Sequence, residues 1–284
     1  MSTKKSRNTD RNADRNADRN LDRNLEKKRT ARERLQAERA ATARRATIRK
    51  RFVIAGCAAT VLAFAAGIGI GVTNGTSAAD ESDKPLVIPA GATGTDGTVI
   101  TYGKRDAKAT VKVYEDMRCP YCAKFEQRLG PTLKNMADSG KAKVEFHMAA
   151  FLDKSLGGKG SKTSLAALGA ALNESPEKFK AFHDVLYANH PKEETDDTFG
   201  STATLLELAA KVPGLRTPAF NKAVKEGTYL PWATKVAGAF YKSDVSGTPT
   251  VKVNDKKLSV IGEDGRVVSP QDFTRQVDRA VGAK

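Results

Sequence analysis

The chain has 284 residues and a mass of 30.5 kDa, enough for one medium domain with appendages or two small domains, and too large for a miniature disulfide-stapled scaffold. Its formal charge of +15 is unevenly placed: residues 1–51 hold 18 Lys/Arg against 7 Asp/Glu, net +11, which leaves only +4 on the other 233 residues. The pI of 9.7 therefore belongs mostly to a tail and does not indicate a specific nucleic-acid-binding domain, while three cysteines, at 57, 119 and 122, are too few for a structural disulfide framework.

Residues 10–25 read DRNADRNADRNLDRNL, four copies of a tetrapeptide with a period close to a helical turn. Asn at every fourth place is a poor helix former and Ala/Leu offers little apolar surface, so 1–51 is expected to be a basic, disordered or partly helical tail, richer in helix formers from Leu25 on. Phe52 to Val72 is 21 residues without a charge, long enough to cross about 30 Å of hydrocarbon as a helix. Arg49, Lys50 and Arg51 abut its start, and the next basic residue is Lys84, an asymmetry that places the N-terminus in the cytoplasm and the C-terminal region outside. A cleaved signal peptide at Ser77-Ala78-Ala79 is the alternative, disfavoured by the length of the apolar run and of the leading tail. Cys57 stands too early in the run for a lipid-attachment box and reads as a small residue of the span. Residues 73–97, rich in Gly, Ser, Thr, Ala and Asp, read as a flexible tether.

The domain expected over 98–284 begins with strand-like runs at Val99–Tyr102 and Ala109–Tyr114, followed by Cys119-Pro120-Tyr121-Cys122 and a helix. Pro120 suits a first helical turn, where its missing N–H has no partner to lose, and this places Cys119 at a helix N-terminus. There the free N–H groups and the positive end of the helix dipole lower a thiol pKa, with Arg118 and Lys124 as further expected contributors. Cys122 lies three residues on, within reach on the same face and expected to be less exposed, as suits a resolving cysteine. Half of a zinc site has the same C-x-x-C spacing, but the remaining ligands are missing: His147, His183 and His190 are not paired at ligand spacing and read as surface or satisfied core residues. A structural disulfide between Cys119 and Cys122 would close too small a loop to constrain much.

Helical periodicity then predicts Leu165–Leu172, Pro176–Ala188, Thr202–Lys211, Pro218–Lys225 and Pro231–Ser243, an insertion over about 160–243. Gly247-Thr248-Pro249-Thr250 leads into a strand at Val251–Val253. A last strand is expected at Lys256–Ile261 and a last helix at Ser269–Val281, with Ser269 as N-cap and Pro270 at its first position. Phe125, Leu129, Phe146, Phe151, Phe179, Phe182, Leu186, Tyr187 and Trp232 are the expected core.

The C-P-Y-C motif at a strand-to-helix junction, together with Gly247-Thr248-Pro249-Thr250 before a strand, resembles the thioredoxin superfamily, and in particular the DsbA-like oxidoreductases of bacterial envelopes. The resemblance covers about residues 97–284. It implies an α/β thioredoxin-like fold with a helical insertion, Cys119 and Cys122 as the catalytic pair, and Pro249 as a cis-proline whose preceding residue, Thr248, presents backbone to substrate. It further implies that exported thiol-containing proteins are the substrates. The electrons would pass to a quinone-linked membrane protein of the DsbB or vitamin-K-epoxide-reductase type, with no cofactor in the chain itself. Two departures bear on direction: Tyr121 stands where DsbA-type dipeptides often have His, and Val113 stands where thioredoxins carry a buried Asp. The sequence reading is thus a membrane-anchored extracytoplasmic disulfide-introducing enzyme, with an envelope reductase or isomerase, or a non-enzymatic client-binding protein, as alternatives.

Overall fold

The structure is a computed structural model that describes residues 84–262 and 264–282. The expected tail, the span over 52–72 and Cys57 lie outside the described residues. Among those described, no helix is long and apolar enough to cross a membrane.

Six strands and eight α-helices are described: β1 (Ala92–Thr93), β2 (Val99–Tyr102), β3 (Thr110–Asp116), α1 (Pro120–Ser139), β4 (Lys143–Ala149), α2 (Phe151–Leu156), α3 (Gly160–Glu174) and α4 (Pro176–Ala188). These are followed by a 3-10 turn (Thr198–Gly200), α5 (Thr202–Ala209), α6 (Pro218–Glu226), α7 (Leu230–Tyr241), β5 (Thr250–Val253), β6 (Lys256–Lys257) and α8 (Pro270–Gly282). The sheet order is β1-β2-β4-β3-β5-β6. β3 and β4 run parallel, from Thr110 opposite Lys143 to Asp116 opposite Ala149, with α1 as their crossover; the other pairs are antiparallel.

The central strands alternate, with Val111 and Val113 of β3 and Val144, Phe146 and Met148 of β4 fully buried and more polar residues between them. Val111, Val113 and Glu115 of β3 point to the face where Phe146 of β4 meets Phe179 and His183 of α4. Tyr114 and Asp116 point to the other face, where Tyr114 stacks on His147 at 4.6 Å and meets Phe240 of α7. Helix starts were legible because their caps are local: the hydroxyls of Ser175, Ser201, Thr217 and Ser269 accept the N–H groups of Lys178, Thr204, Phe220 and Asp272. Pro at the first position follows the first, third and fourth of these.

Of the expected core, all but Phe151 are buried; Phe151 is half-buried and packs on Phe240. Two expectations are corrected. The tether does not run loose to Gly97: β1 pairs with β2, the Ala90 N–H reaches the Asn173 side chain, and the buried Trp232 indole donates to the Gly97 carbonyl at 2.7 Å. That indole N–H needs a partner inside the core, and the segment supplies it. The last strand is shorter than Lys256–Ile261, because Asn254 and Asp255 take positive φ in a tight hairpin and Ile261 then bridges to Val267 instead.

Candidate active site

The loop between β3 and α1 is folded by Asp116. Its carbonyl accepts the Cys119 N–H at 2.9 Å and its side chain accepts the Arg118 N–H at 3.0 Å, which turns the chain so that Cys119 becomes the N-cap of α1 with Pro120 next. β5 pairs with β3, Thr250 opposite Tyr114, and this brings the preceding loop alongside. The Thr248–Pro249 peptide is cis, and the Cys119 thiol donates to the Thr248 carbonyl at 3.5 Å.

Both cysteines are free thiols with different surroundings. Cys119 is held down to a pKa of about 7 by the hydrogen bond from the Cys122 thiol, against the cost of burial, with help from Thr248 and the N–H groups of Cys122 and Tyr121. Cys122 is pushed well up by burial, then by the sulfur of Cys119 and the carboxylate of Glu115. Cys119 is only 6 % exposed, less open than the sequence implied, and Cys122 is fully buried, while Tyr121 between them is 44 % exposed. The arrangement supplies a thiolate that can form or leave a mixed disulfide and a buried thiol that closes the ring.

Arg118 does not stand where expected. Its buried guanidinium donates to Asp153 at 3.1 Å, to the Gly157 carbonyl at 2.7 Å and to the Glu194 carbonyl at 3.3 Å, and lies 3.5 Å from Asp197. Its charge ties the insertion to the cysteine loop, and the groups that lower the Cys119 pKa most are Cys122, the Thr248 side chain and the Cys122 and Tyr121 N–H groups. Lys124 sits over the Tyr121 ring at 4.8 Å. A groove of about 870 Å³ between Lys124, Gln127 and Arg128 of α1 and the Gly262–Val268 segment includes neither cysteine.

Sequence reasoning missed a buried cluster beneath the pair. Glu115, Glu126 and His183 are almost completely enclosed, and the His183 ring bonds the Glu115 carboxylate at 2.8 Å through Nε2. Its Nδ1 lies 4.0 Å from Glu126 and 3.7 Å from Asp184. Burial would raise the Glu115 pKa, but the charge and hydrogen bond of His183 outweigh it and the result is a lowered value; His183 correspondingly rises to about 9. Burial and the Glu115 charge push Glu126 well up. The ligating atoms of the three residues lie within 4.8 Å of one another, but Nε2 of His183 is already engaged and the cluster balances its charge internally. Of the other histidines, His147 stacks on Tyr114 and His190 bonds the Pro191 carbonyl at 2.7 Å. The available signal was two glutamates at positions otherwise reading as core: Glu115 on the Val111–Val113 face and Glu126 one turn after Cys122.

The thioredoxin family model matches residues 95–279. Disulfide bond formation protein D of Bacillus subtilis is 28 % identical over 157 residues, covering 55 % of this chain and 68 % of that protein. Two Mycobacterium tuberculosis crystal structures share the fold at 27 % identity. Oxidised DsbA has a TM-score of 0.54 over 65 % of this chain and 93 % of its own, and the reduced disulfide bond oxidoreductase DsbG has 0.55 over 66 % and 88 %.

Proposed function

The chain belongs to the thioredoxin family and is a thiol-disulfide oxidoreductase, and from that premise we propose that it introduces disulfides into exported proteins through Cys119 and Cys122. The observation that carries the reading is the asymmetry of the two sulfurs: one thiol lowered to about 7 beside the Thr248 carbonyl, the other buried and raised.

Each step follows from that asymmetry. A substrate thiolate attacks Cys119 Sγ of the oxidised pair, the Cys119–Cys122 bond breaks, and its electron pair passes to Cys122. The substrate's second thiolate then attacks the substrate sulfur of the mixed disulfide, and Cys119 departs. A low-pKa thiol leaves fast, so the stabilisation of Cys119 speeds this release and favours the reduced enzyme, which makes the oxidised form the stronger oxidant. Thr248 and Pro249 frame the attacking sulfur's approach, with Pro120 and Tyr121 forming the exposed end of the motif. The two electrons go on to a quinone-linked membrane oxidant of the DsbB or vitamin-K-epoxide-reductase type. The 21-residue uncharged stretch at 52–72 and the basic residues before it support a single-pass anchor with the domain on the extracytoplasmic side.

One observation favours a second reading, an envelope reductase or isomerase: a first-cysteine pKa of about 7 is in the range of thioredoxin and far from the value of about 3.5 found in DsbA. Equilibrating the full chain with glutathione, with Cys119 alkylation as the readout, separates the two. A potential towards about −120 mV makes the enzyme a disulfide donor, and one near about −270 mV reverses the electron flow. Cys119→Ser is expected to abolish turnover, and dithiol oxidation persisting in that variant would overturn the assignment of the site.

A further inference from the structure

The surface around Lys84, the first described residue, combines cations with exposed apolar side chains. Lys84 donates through Nζ to the Glu226 carbonyl at 2.6 Å, at the C-terminal end of α6. With Lys159 and Lys162 at the start of α3 and Lys225 on α6, it lines a pocket of about 560 Å³ that also takes in apolar residues such as Ala166, Ala223 and Leu230. Among the described residues, Glu226 is the one acidic side chain of this lining, and Lys159 and Lys225 are exposed. Lysines gathered around a single carboxylate make a face that attracts anions.

Two residues after Lys84 the chain runs Leu86-Val87-Ile88, whose side chains are 50 %, 36 % and 42 % exposed. Elsewhere among the described residues, large apolar side chains are exposed at isolated positions in sequence: Tyr121, Leu156 and Tyr241. An exposed apolar run beside lysines is the combination that holds a protein at a lipid surface, where cations meet headgroups and the apolar side chains enter the boundary beneath them. The order of the chain supplies that surface. Eleven residues, 73–83, separate the uncharged stretch at 52–72 from Lys84, and fully extended chain of that length reaches at most about 40 Å. So short a connection keeps the effective concentration of headgroups high at this face.

We propose that this face, with Lys84, Lys159 and Lys225 as its cations and Leu86, Val87 and Ile88 as its apolar edge, docks on anionic phospholipid headgroups. The inference goes beyond the proposed anchor at 52–72 and rests on it. The face is joined to the redox pair through one side chain: Gly160, next to Lys159, abuts Arg118, since a Cβ there would stand 3.1 Å from Arg118 Cδ, and Arg118 precedes Cys119. Docking therefore fixes how the cysteine loop is turned towards a bilayer that holds its oxidant. Asp80, Glu81 and Asp83 are the competing anions within the chain. The apolar run favours lipid over them, because acidic side chains give Leu86, Val87 and Ile88 nothing to bury against.

The test is lysine acetylation of the full chain in nanodiscs of phosphatidylcholine alone or of an equal mixture with phosphatidylglycerol, with rates at each site read by mass spectrometry. In the mixed discs Lys84, Lys159 and Lys225 are expected to react more slowly by about fivefold or more, the factor that the attraction of one lysine to an anionic surface implies. Lys256 and Lys257, exposed on β6 at the sheet edge away from β1, should keep their rates, and high salt should remove the protection. Lys159→Glu combined with Lys225→Glu is expected to abolish the protection of Lys84, and replacing Leu86, Val87 and Ile88 by Ser to weaken it. The pH midpoint of Cys119 alkylation, unchanged in both variants, shows that the domain is folded. Equal rates in the two discs, equal slowing of Lys256 and Lys257, or protection of Lys84 that survives the double variant would overturn the docking. So would protection that is the same in both discs and is lost on neutralising Asp80, Glu81 and Asp83, which would give the lysines to the chain's own acids. A chain that does not enter the discs would instead overturn the anchor, and the docking with it.

Discussion

Glu115 and Asp116 are neighbours on β3, both fully buried, and they point to opposite faces of the sheet. The protein compensates them by different means. Glu115 meets a cation, His183, and is held ionised; Asp116 meets only neutral donors, the Ser161 hydroxyl at 2.6 Å and the N–H groups of Arg118 and Leu152, and burial leaves it raised to about 6. A buried charge facing a charge is costly to separate, while a buried carboxyl facing dipoles can take up a proton and stay folded. The first arrangement lies in the core beneath Cys122, and the second sits at the turn that shapes the cysteine loop.

Removing the cation tests the first arrangement hardest. His183→Leu leaves Glu115 as an uncompensated buried charge and is expected to lower the unfolding free energy by about 3–5 kcal/mol in urea titration. The double variant with Glu115→Leu should recover much of it, because an apolar pair of similar volume replaces an ion pair at little cost. If the double variant is no better than the single, His183 works through packing against Phe146 and Phe179 and not through charge.

Arg118 belongs with the Asp116 side of the comparison. Arg118→Met strips Asp153 of its guanidinium and should cost about 3 kcal/mol, yet leave the pH midpoint of Cys119 alkylation near 7. A midpoint that moves up with the loss of this charge would restore Arg118 to the thiolate.

The pH dependence of stability sharpens the contrast because its signs oppose. For His183 the folded pKa, about 9, lies above the ordinary 6.5, so its contribution is complete below 6.5 and is lost as pH rises through 9. For Asp116 the folded state takes up its proton first, so stability grows as pH falls from about 6 towards 3.8. Asp116→Asn turns an amide towards a donor N–H, at a cost of about 1–3 kcal/mol, and should erase the acid-side gain alone. Melting temperatures across pH for wild type and the two single variants check both arms.

The same contrast explains what the sequence could tell. The places of Cys119, Cys122 and Pro249 in the fold were legible because they depend on neighbours in sequence: a proline at the first helical position, a helix N-terminus, a proline just before a strand. Pro176 and Ser269 announced their helices for the same reason. The partners of Arg118 were not legible, since Asp153 and Asp197 lie 35 and 79 residues away and meet it only once the insertion has folded back. Charge near a cysteine in sequence was therefore a poor guide to charge near it in space. Glu115, Glu126 and His183 come from a strand and two helices, and nothing local in any of them marks a shared pocket. β4 did carry a local signal, the alternation of Val144, Phe146 and Met148 with polar residues, and its pairing beside β3 is what only the fold supplies.

The smallest expected effect lies at the Thr248 side of the thiolate. The Thr248 hydroxyl is buried and has no other hydrogen-bond partner, so in the thiol form its capacity is unmet, and on ionisation of Cys119 it can donate to the sulfur. Thr248→Val keeps the side-chain shape and the carbonyl that accepts from Cys119, and removes only that donor. The pH midpoint of Cys119 alkylation is expected to rise by a fraction of a unit with no loss of folding stability, because the hydroxyl satisfies nothing in the thiol form. A thiolate held by the Cys122 thiol, the Thr248 hydroxyl and the helix amides keeps its main donor, Cys122, in such a variant, so a large shift would place Thr248 above Cys122 among the groups that stabilise it. No shift at all would leave the thiolate to Cys122 and the N-terminal amides of α1, and reduce Thr248 to the carbonyl that faces Cys119.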